Sequence, residues 1–391
     1  MNIQNIQFAS SVVSLNNAPK NKQQSEYTTN KSAELPKFAY RDFNIHFGER
    51  LNRTPENFYA QRFNKENMPQ KMKAYLFLTL VTLACSLVDL QRHQNIVDTV
   101  NNAKTTWKAK VYERDIAPLI GAWKETPETE LPEKTTFKTS NADLPESFDL
   151  REAYPQCESL REIRDQSRCG SCWAFAAAET MSDRLCIHSN GQLQTRVSAQ
   201  YLVTCCTSCG DGCFGGYPSS TFSFWKSSGI PSGGLYGDTN TCQPYFLPEC
   251  DDHMHNCEDY QDTPSCSKSC VDGYPKTLNE DKTYGSSSYS VRGEQNIMKE
   301  IYENGPVEGT FYVYEDFGDY SSGVYQHVTG SYLGGHAIKI IGWGVTDEGV
   351  KYWLIANSWN ERWGENGYFR LLRGENECGI ESSAATGMPK L

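Results

Sequence analysis

Residues 165–175 read DQSRCGSCWAF, and they place a cysteine thiol where a helix should begin. The Gly-Ser pair before Cys172 predicts a turn, and residues 173–186, alanine-rich in their first half, predict the helix. The backbone N–H groups and the positive dipole end of such a helix favour a thiolate over a thiol. Gln166 carries an amide that can donate to a developing oxyanion. The stretch therefore predicts a nucleophile, the alternative being that Cys172 forms a structural disulfide.

A cysteine nucleophile needs a base, and the base needs a group that orients it. Residues 334–344, GGHAIKIIGWG, predict a strand after a glycine turn, with His336 at its beginning. Residues 351–356 predict a second strand, which leads into Asn357-Ser358-Trp359. The Asn357 carbonyl can accept from one ring nitrogen of His336 and leave the other facing the thiol, while Trp359 shields this hydrogen bond from water. Taken alone, such a histidine is more often a core residue and such an asparagine a turn residue.

Together the CGSCW, GHA and NSW motifs resemble the papain family of cysteine proteases, and within it the cathepsin B-like members. The resemblance runs from about residue 95 to residue 388. It implies an α+β, papain-like two-domain fold, with Cys172 on a helical L domain, His336 and Asn357 on a β-rich R domain, and the active-site cleft between them. It also implies that Cys172 is the nucleophile, His336 the base, Asn357 the orienting group and Gln166 the oxyanion donor. Such a peptidase needs no cofactor and no metal.

The spacing of the motifs differs from the general family pattern. The histidine and asparagine are expected roughly 130–150 residues after the cysteine, but here the separations are 164 and 185 residues. The surplus lies in a Cys- and Pro-rich insertion, residues 242–270. Within it, residues 250–257 (CDDHMHNC) stand where cathepsin B-like enzymes carry an occluding loop over the primed side of the cleft.

The predicted occluding loop is shorter than usual and has Asp252-His253 in place of a histidine pair that receives the substrate's C-terminal carboxylate. His253 keeps that position, and His255 is a substitute. Asp252 adds negative charge where an anion docks and removes a histidine expected to pair with Asp165. The resemblance thus implies an endopeptidase with an open cleft, and peptidyl-dipeptidase activity as a possible addition. A metal site at the two histidines is a weaker alternative, because oxidised cysteines leave too few ligands.

The family resemblance also implies a disulfide pairing that sequence alone leaves open. The implied pairs are Cys157–Cys186, Cys169–Cys213, Cys205–Cys266, Cys206–Cys209, Cys242–Cys270 and Cys250–Cys257. Of the cysteines after Leu144, this pairing leaves Cys172 and Cys378 free.

The substrate-binding residues are likewise implied by the resemblance. Gly215 and Gly216 allow an extended peptide to approach the backbone and hydrogen-bond to it. The other expected positions around the S2 pocket are Tyr217, Pro218, Thr310, Ala337 and Ser383, with Trp359 beside the catalytic histidine. Serine at position 383, where cathepsin B-like enzymes commonly carry glutamate, implies a preference for hydrophobic P2 side chains.

Composition limits the function classes. The 391 residues are 38% hydrophobic, enough to fill one or two cores. A net charge of −11 argues against nucleic acid as a partner, and 15 cysteines indicate an oxidising compartment. The expected partners are peptide and protein substrates, the chain's own propeptide as cleft inhibitor and cystatin-like inhibitors, with no stable membrane association of the mature form.

The N-terminal third predicts a secreted precursor. Residues 1–71 are interpreted as a disordered or spurious extension, and 72–88 as a signal peptide, with a signal anchor as the alternative. Residues 89–143 resemble a short inhibitory propeptide, with a predicted helix over 97–107 and a linker over 126–139. Residues 144–391 form the predicted peptidase domain, in a lysosomal or extracellular protein. The alternatives are a catalytically silent peptide-binding homologue and a membrane-tethered protease.

Overall fold

The computed structural model describes residues 90–112, 115–250 and 262–391, all of which belong to one compact unit, Pro69–Leu391. The predicted extension over 1–71, the predicted signal segment over 72–88 and the loop histidines at positions 253 and 255 lie outside these ranges. Among the described residues, no helix is long and apolar enough to cross a bilayer.

The described residues combine helices and a large sheet. The helices are α1 (residues 90–102), α2 (Leu150–Ala153), α3 (Cys172–His188), α4 (Ala199–Cys205), α5 (Pro218–Ser228), α6 (Leu278–Asp281) and α7 (Glu294–Asn304). The strands are β1 (Trp107–Ala109), β2 (Phe148–Asp149), β3 (Tyr284–Gly285), β4 (Tyr289–Val291), β5 (Val307–Tyr314), β6 (Tyr320–Tyr325), β7 (Tyr332–Val345), β8 (Lys351–Ala356), β9 (Tyr368–Leu372), β10 (Ala384–Thr386) and β11 (Pro389–Lys390).

The helical half is built around α3. This helix is buried from Cys172 to Ile187, so it forms a central core element rather than an amphipathic surface helix. The alanines at positions 174 and 176–178 have small side chains, which let neighbouring elements approach closely. Met181 and Leu185 pack with Phe222 and Trp225 of α5 in one hydrophobic cluster. The helix predicted over residues 173–186 is confirmed, extended by one residue at its start and two at its end.

The β-rich half is organised around β5 and β7. Within the described residues, nine strands form one sheet in the order β1-β6-β9-β8-β7-β5-β10-β4, with β2 also paired to β7. The strands predicted over residues 334–344 and 351–356 are confirmed as β7 and β8. The antiparallel register pairs Phe311 with His336 and Thr310 with Ala337. This half has its own core, so the predicted α+β two-domain class is confirmed.

The predicted extent of the helix before the peptidase domain is wrong. The helix predicted over residues 97–107 ends by residue 102, and Trp107 instead begins β1, which pairs with β6. Lys104 has a left-handed φ of 49°, which interrupts the helix. Trp107 is 1% exposed and lies 4.9 Å from the Tyr325 ring, so burial against β6 outweighs the local helical preference.

Disulfides close the helical half. The structure contains five of the six predicted bridges: Cys157–Cys186, Cys169–Cys213, Cys205–Cys266, Cys206–Cys209 and Cys242–Cys270. The sixth, Cys250–Cys257, includes a residue outside the described ranges and stays a prediction. Cys172 and Cys378 are the free cysteines of the described part of the chain.

Candidate active site

The thiol of Cys172 lies at the first residue of α3 and is fully buried. It packs in a small cluster with Ala122, Ala176 and Ala337. Burial raises the pKa of the Cys172 thiol to about 11, although backbone hydrogen-bonding groups at Ala337, Gly121 and Trp173 act in the opposite direction. In this closed state desolvation outweighs the effect of the helix terminus, and the thiolate stays a prediction for the open cleft.

The imidazole of His336 lies on β7, five residues into the strand rather than at its beginning. Its Nε2 donates to Asn357 Oδ1 across 2.8 Å, and Oδ1 also accepts from the Ser358 backbone N–H at 2.9 Å. Its Nδ1 has no hydrogen-bond partner among the described residues. Burial lowers the pKa of His336 to about 4, against the opposing effect of the Asn357 hydrogen bond. The ring is therefore neutral, with an unpaired nitrogen available to accept a proton.

Aromatic rings enclose the His336–Asn357 pair. The Trp359 ring lies 4.9 Å from the His336 ring and is fully buried, and Phe311 on β5 lies 5.9 Å away on another side. A hydrogen bond that water cannot reach is stronger than an exposed one. Trp359 thus has the shielding position predicted for it.

Three hydrogen bonds hold the side-chain amide of Gln166 in place. Its Nε2 donates to the carbonyl oxygens of Leu119 and Cys169, both at 2.8 Å, and its Oε1 accepts from Ser358 Oγ at 2.7 Å. The Leu119 carbonyl belongs to the segment before the peptidase domain. Gln166 therefore already binds a peptide carbonyl in this structure.

Residues 121–123 lie across the cleft as an extended peptide. The Gly216 N–H donates to Gly121 O at 2.9 Å, and the Trp123 N–H donates to Gly216 O at 2.8 Å. On the opposite wall, the Ala122 N–H donates to Gly335 O at 2.9 Å. At Gly121 a Cβ would lie 1.9 Å from the Gly170 carbonyl oxygen, so only glycine fits there. At Gly215, where φ is 117°, a Cβ would lie 2.3 Å from Trp123 Nε1.

A cavity of about 220 Å³ adjoins this segment. Among the predicted subsite residues, Pro218, Thr310 and Ser383 line it. Tyr217 lies beside it, with its ring 5.2 Å from the Trp123 ring, and Ala337 packs against the thiol instead. Sequence reasoning missed further lining residues, which include Phe311, Tyr312, Tyr332, Cys378 and Ser382.

Sequence reasoning also missed Glu308, two residues before Thr310 on β5. Its carboxyl group is 1% exposed, and neither oxygen has a hydrogen-bond partner among the described residues. Burial and the nearby carboxyl groups of Glu125 and Glu179 raise the pKa of Glu308 well above its usual value. The sequence of β5 did not indicate that Glu308 would be buried and unpaired. The alternation of side chains along a strand predicts which face is buried, but not whether a buried carboxyl group has a hydrogen-bond partner.

Asp165 anchors the start of the loop segment. Its Oδ2 accepts from the Cys250 backbone N–H at 3.0 Å and from Asn360 Nδ2 at 2.9 Å. Its Oδ1 accepts from the Ser167 N–H at 2.8 Å. The Asp165 carboxylate thus holds the backbone at Cys250, the last described residue before the gap at residues 251–261.

A buried thiol at a helix N-terminus, an oriented imidazole on the facing sheet and an extended peptide between them define the class of thiol peptidases. Residues 144–388 match the family model described as papain family cysteine protease. The chain therefore belongs to the papain family and is a cysteine-type peptidase of the cathepsin B-like kind.

Individual relatives agree with this assignment. The cathepsin B-like cysteine proteinase 6 of Caenorhabditis elegans is 44% identical over 361 residues, covering 82% of this chain and 95% of the relative. A cathepsin B-like cysteine proteinase of Schistosoma japonicum is 47% identical over 298 residues, covering 73% and 86%. Among solved structures, proCathepsin B S9 from Trypanosoma congolense matches with a TM-score of 0.66 and 39% identity, covering 76% of this chain and 97% of that one.

Proposed function

We propose that the protein is a cathepsin B-like cysteine endopeptidase made as a zymogen, in which residues 89–143 are the propeptide and 144–391 the peptidase domain. The observation that carries the proposal is residues 121–123 lying as an extended peptide over Cys172, with hydrogen bonds to both walls of the cleft. The start of the family match at residue 144 supports a mature N-terminus near Leu144. Residues 72–88 would direct the precursor into the secretory pathway, for a lysosomal or extracellular destination.

The catalytic roles follow from the geometry of the cleft. Once the propeptide leaves, water reaches Cys172 and the desolvation that raises its pKa is relieved, so its proton can pass to Nδ1 of His336. The thiolate attacks the substrate carbonyl, and the oxyanion accepts from Gln166 Nε2 and the Cys172 backbone N–H. Asn357 keeps the imidazole oriented while His336 protonates the leaving amine. Water then hydrolyses the thioester, and His336 accepts its proton.

The same contacts account for inhibition by the propeptide. The Leu119 carbonyl holds the Gln166 amide that a substrate oxyanion would need, and Ala122 covers the thiol. The neutral thiol and neutral imidazole leave the nucleophile inactive while the segment is bound. Substrate therefore competes with residues 117–123 for one site.

Replacing Gly121 by alanine should weaken this inhibition. The added methyl group would meet the Gly170 carbonyl oxygen at 1.9 Å, so the segment must shift away from the thiol. Overpacking of about 1–3 kcal/mol corresponds to a Ki that rises roughly 5- to 150-fold. The measurement is inhibition of processed enzyme by a peptide spanning residues 89–143, with the exposed Thr136→Ala peptide as control. Equal inhibition by both peptides would contradict the proposed contact.

The cavity beside Trp123 is the proposed S2 pocket, and it should favour hydrophobic P2 side chains. Ser383 offers no charge to bind arginine. A Ser383→Glu variant should therefore raise kcat/KM for P2 arginine relative to P2 leucine by about tenfold, the gain expected from one new charged hydrogen bond. The Gln192→Glu variant, at an exposed position outside the cavity, is the control for a general electrostatic effect. If the ratio moves equally in both variants, Ser383 does not set P2 specificity.

Comparing two matched peptides tests the endopeptidase proposal. Processed enzyme at mildly acidic pH is given one peptide with a free C-terminus and one with an amidated C-terminus, both with leucine at P2. We expect similar rates, because negatively charged Asp252 replaces one histidine of the pair that receives a carboxylate in cathepsin B-like enzymes. A strong preference for the free carboxylate would instead assign peptidyl-dipeptidase activity to His253 or His255. Absence of thiol-dependent cleavage of either peptide would favour a silent peptide-binding homologue.

A further inference from the structure

Strand β4 has a second partner besides β10. It lies at one end of the sheet, and its outer edge pairs with the segment Leu131–Lys134. The Ser290 N–H donates to Pro132 O at 3.0 Å, and the Lys134 N–H donates to Ser290 O at 2.9 Å. Ser290 Oγ also donates to Leu131 O at 3.2 Å. The segment thus extends the sheet by backbone hydrogen bonding, the mode by which exposed strand edges bind peptides.

The lysine of this segment enters an acidic socket formed by Glu300 and the residues that donate to it. Lys134 Nζ lies 2.7 Å from Glu300 Oε2, and the Glu300 side chain is fully buried. Arg184 Nη2 at 2.9 Å and the Tyr289 hydroxyl at 2.7 Å donate to the other oxygen of Glu300. Asn304 Nδ2 donates to Oε2 at 3.1 Å. Residues of the peptidase domain therefore orient the carboxylate and leave one side of Oε2 to a cation from outside.

The charge state of the socket suits a cation. Burial acts to raise the pKa of Glu300, but the charges of Arg184 and Lys134 outweigh it and lower the pKa overall. The carboxylate is therefore ionised while Lys134 is bound to it. The Lys134 ammonium also lies 5.2 Å from the Tyr289 ring centroid, a distance at which a ring face attracts a cation.

The apolar end of the segment connects this edge to the cleft. Leu131 packs against the hydrophobic cluster of the helical half and lines the same cavity as Ser290 and Ser383. An extended chain occupying the edge of β4 is thus continuous with the proposed S2 pocket.

We infer that the outer edge of β4, with the Glu300 socket, becomes a second binding site when the propeptide is removed. It takes an extended segment of a protein partner in which an apolar residue is followed three positions later by lysine. The inference rests on the proposed processing near Leu144, because only then does Leu131–Lys134 leave the edge. The segment bound in the zymogen indicates which partner sequence fits. A neutral side chain in place of Lys134 would leave the Glu300 carboxylate without its cationic partner.

Binding of a labelled peptide spanning residues 129–139 tests the site. The enzyme is processed from the full chain, and its Cys172 is alkylated so that cleavage does not interfere. We expect saturable binding that weakens about tenfold or more when the peptide carries Lys134→Met, which keeps the length and removes the charge. The Thr136→Ala peptide should bind like the parent. The full-length precursor should not bind the peptide, since its own segment occupies the edge.

Two outcomes would overturn the inference: absence of saturable binding to processed enzyme, or equal binding of the parent, Lys134→Met and scrambled peptides. Cleavage of a short peptide by an unalkylated portion of the same preparation is measured separately. Cleavage without peptide binding would reject the second site alone. Peptide binding without cleavage would reject the peptidase proposal alone.

Discussion

Replacing Cys172 by serine is expected to lower kcat for peptide cleavage by about 10⁴-fold or more, because a serine hydroxyl has a much higher pKa than a thiol and is a far weaker nucleophile beside His336. The substitution is nearly isosteric, and the residue lies fully buried at the start of α3, so the precursor should fold normally. Processed enzyme is made with an added protease, and kcat is measured with a P2 leucine substrate. A His336→Ala change in the same background should add little, because the two residues act as one unit.

Cys378→Ser is the matched control for this experiment, since Cys378 is the other free thiol of the described residues. Its Sγ lies 3.4 Å from Glu377 Oε1, and burial raises the pKa of this thiol, so it is a poor nucleophile. The Cys378→Ser enzyme should still cleave peptide, and a thiol-alkylating reagent should abolish that cleavage. Alkylation-sensitive cleavage by the Cys172→Ser enzyme would contradict the assignment of the nucleophile.

Replacing Glu308 by glutamine should stabilise the protein at neutral pH. The folded state raises the pKa of Glu308 well above 4.5, chiefly by burial, so the folded state binds this proton more tightly than the unfolded chain does. Stability from this group is fully present below about pH 4.5 and is lost as the pH rises toward the folded pKa, by up to about 1.4 kcal/mol per pH unit. Glutamine keeps the shape and does not titrate. The advantage of Glu308→Gln should therefore grow steadily with pH.

Urea unfolding of the precursor at several pH values between 4.5 and 7.5 measures this difference. Glu348→Gln, in the exposed turn between β7 and β8, is the matched control and should follow the parent at every pH. The prediction fails when Glu308→Gln shows the same pH slope as the parent. In that case an ionised Glu308 carboxylate would have to be stabilised by groups other than those around β5.

Much of the site could be predicted from local patterns. Cys172, His336 and Asn357 each stand in a short motif beside a predicted turn or strand end, although His336 lies inside β7 in the structure. Helix α3 and strands β7 and β8 followed from the same signals, and the family resemblance implied five bridges that the structure contains. Trp107 shows the limit of local reasoning, because its partner Tyr325 lies more than 200 residues further along the chain.

The sequence by itself determined which reactive groups are present and which of them lie on or next to a helix or a strand, because those properties depend on neighbours along the chain. Only the tertiary structure decided their protonation. Cys172 is neutral and His336 uncharged because Ala122 and the surrounding core exclude water from both. Tertiary packing likewise buried Glu308 with no hydrogen-bond partner among the described residues and set Lys134 against Glu300. Desolvation and pairing depend on which distant segments cover a residue, and short-range patterns do not specify those segments.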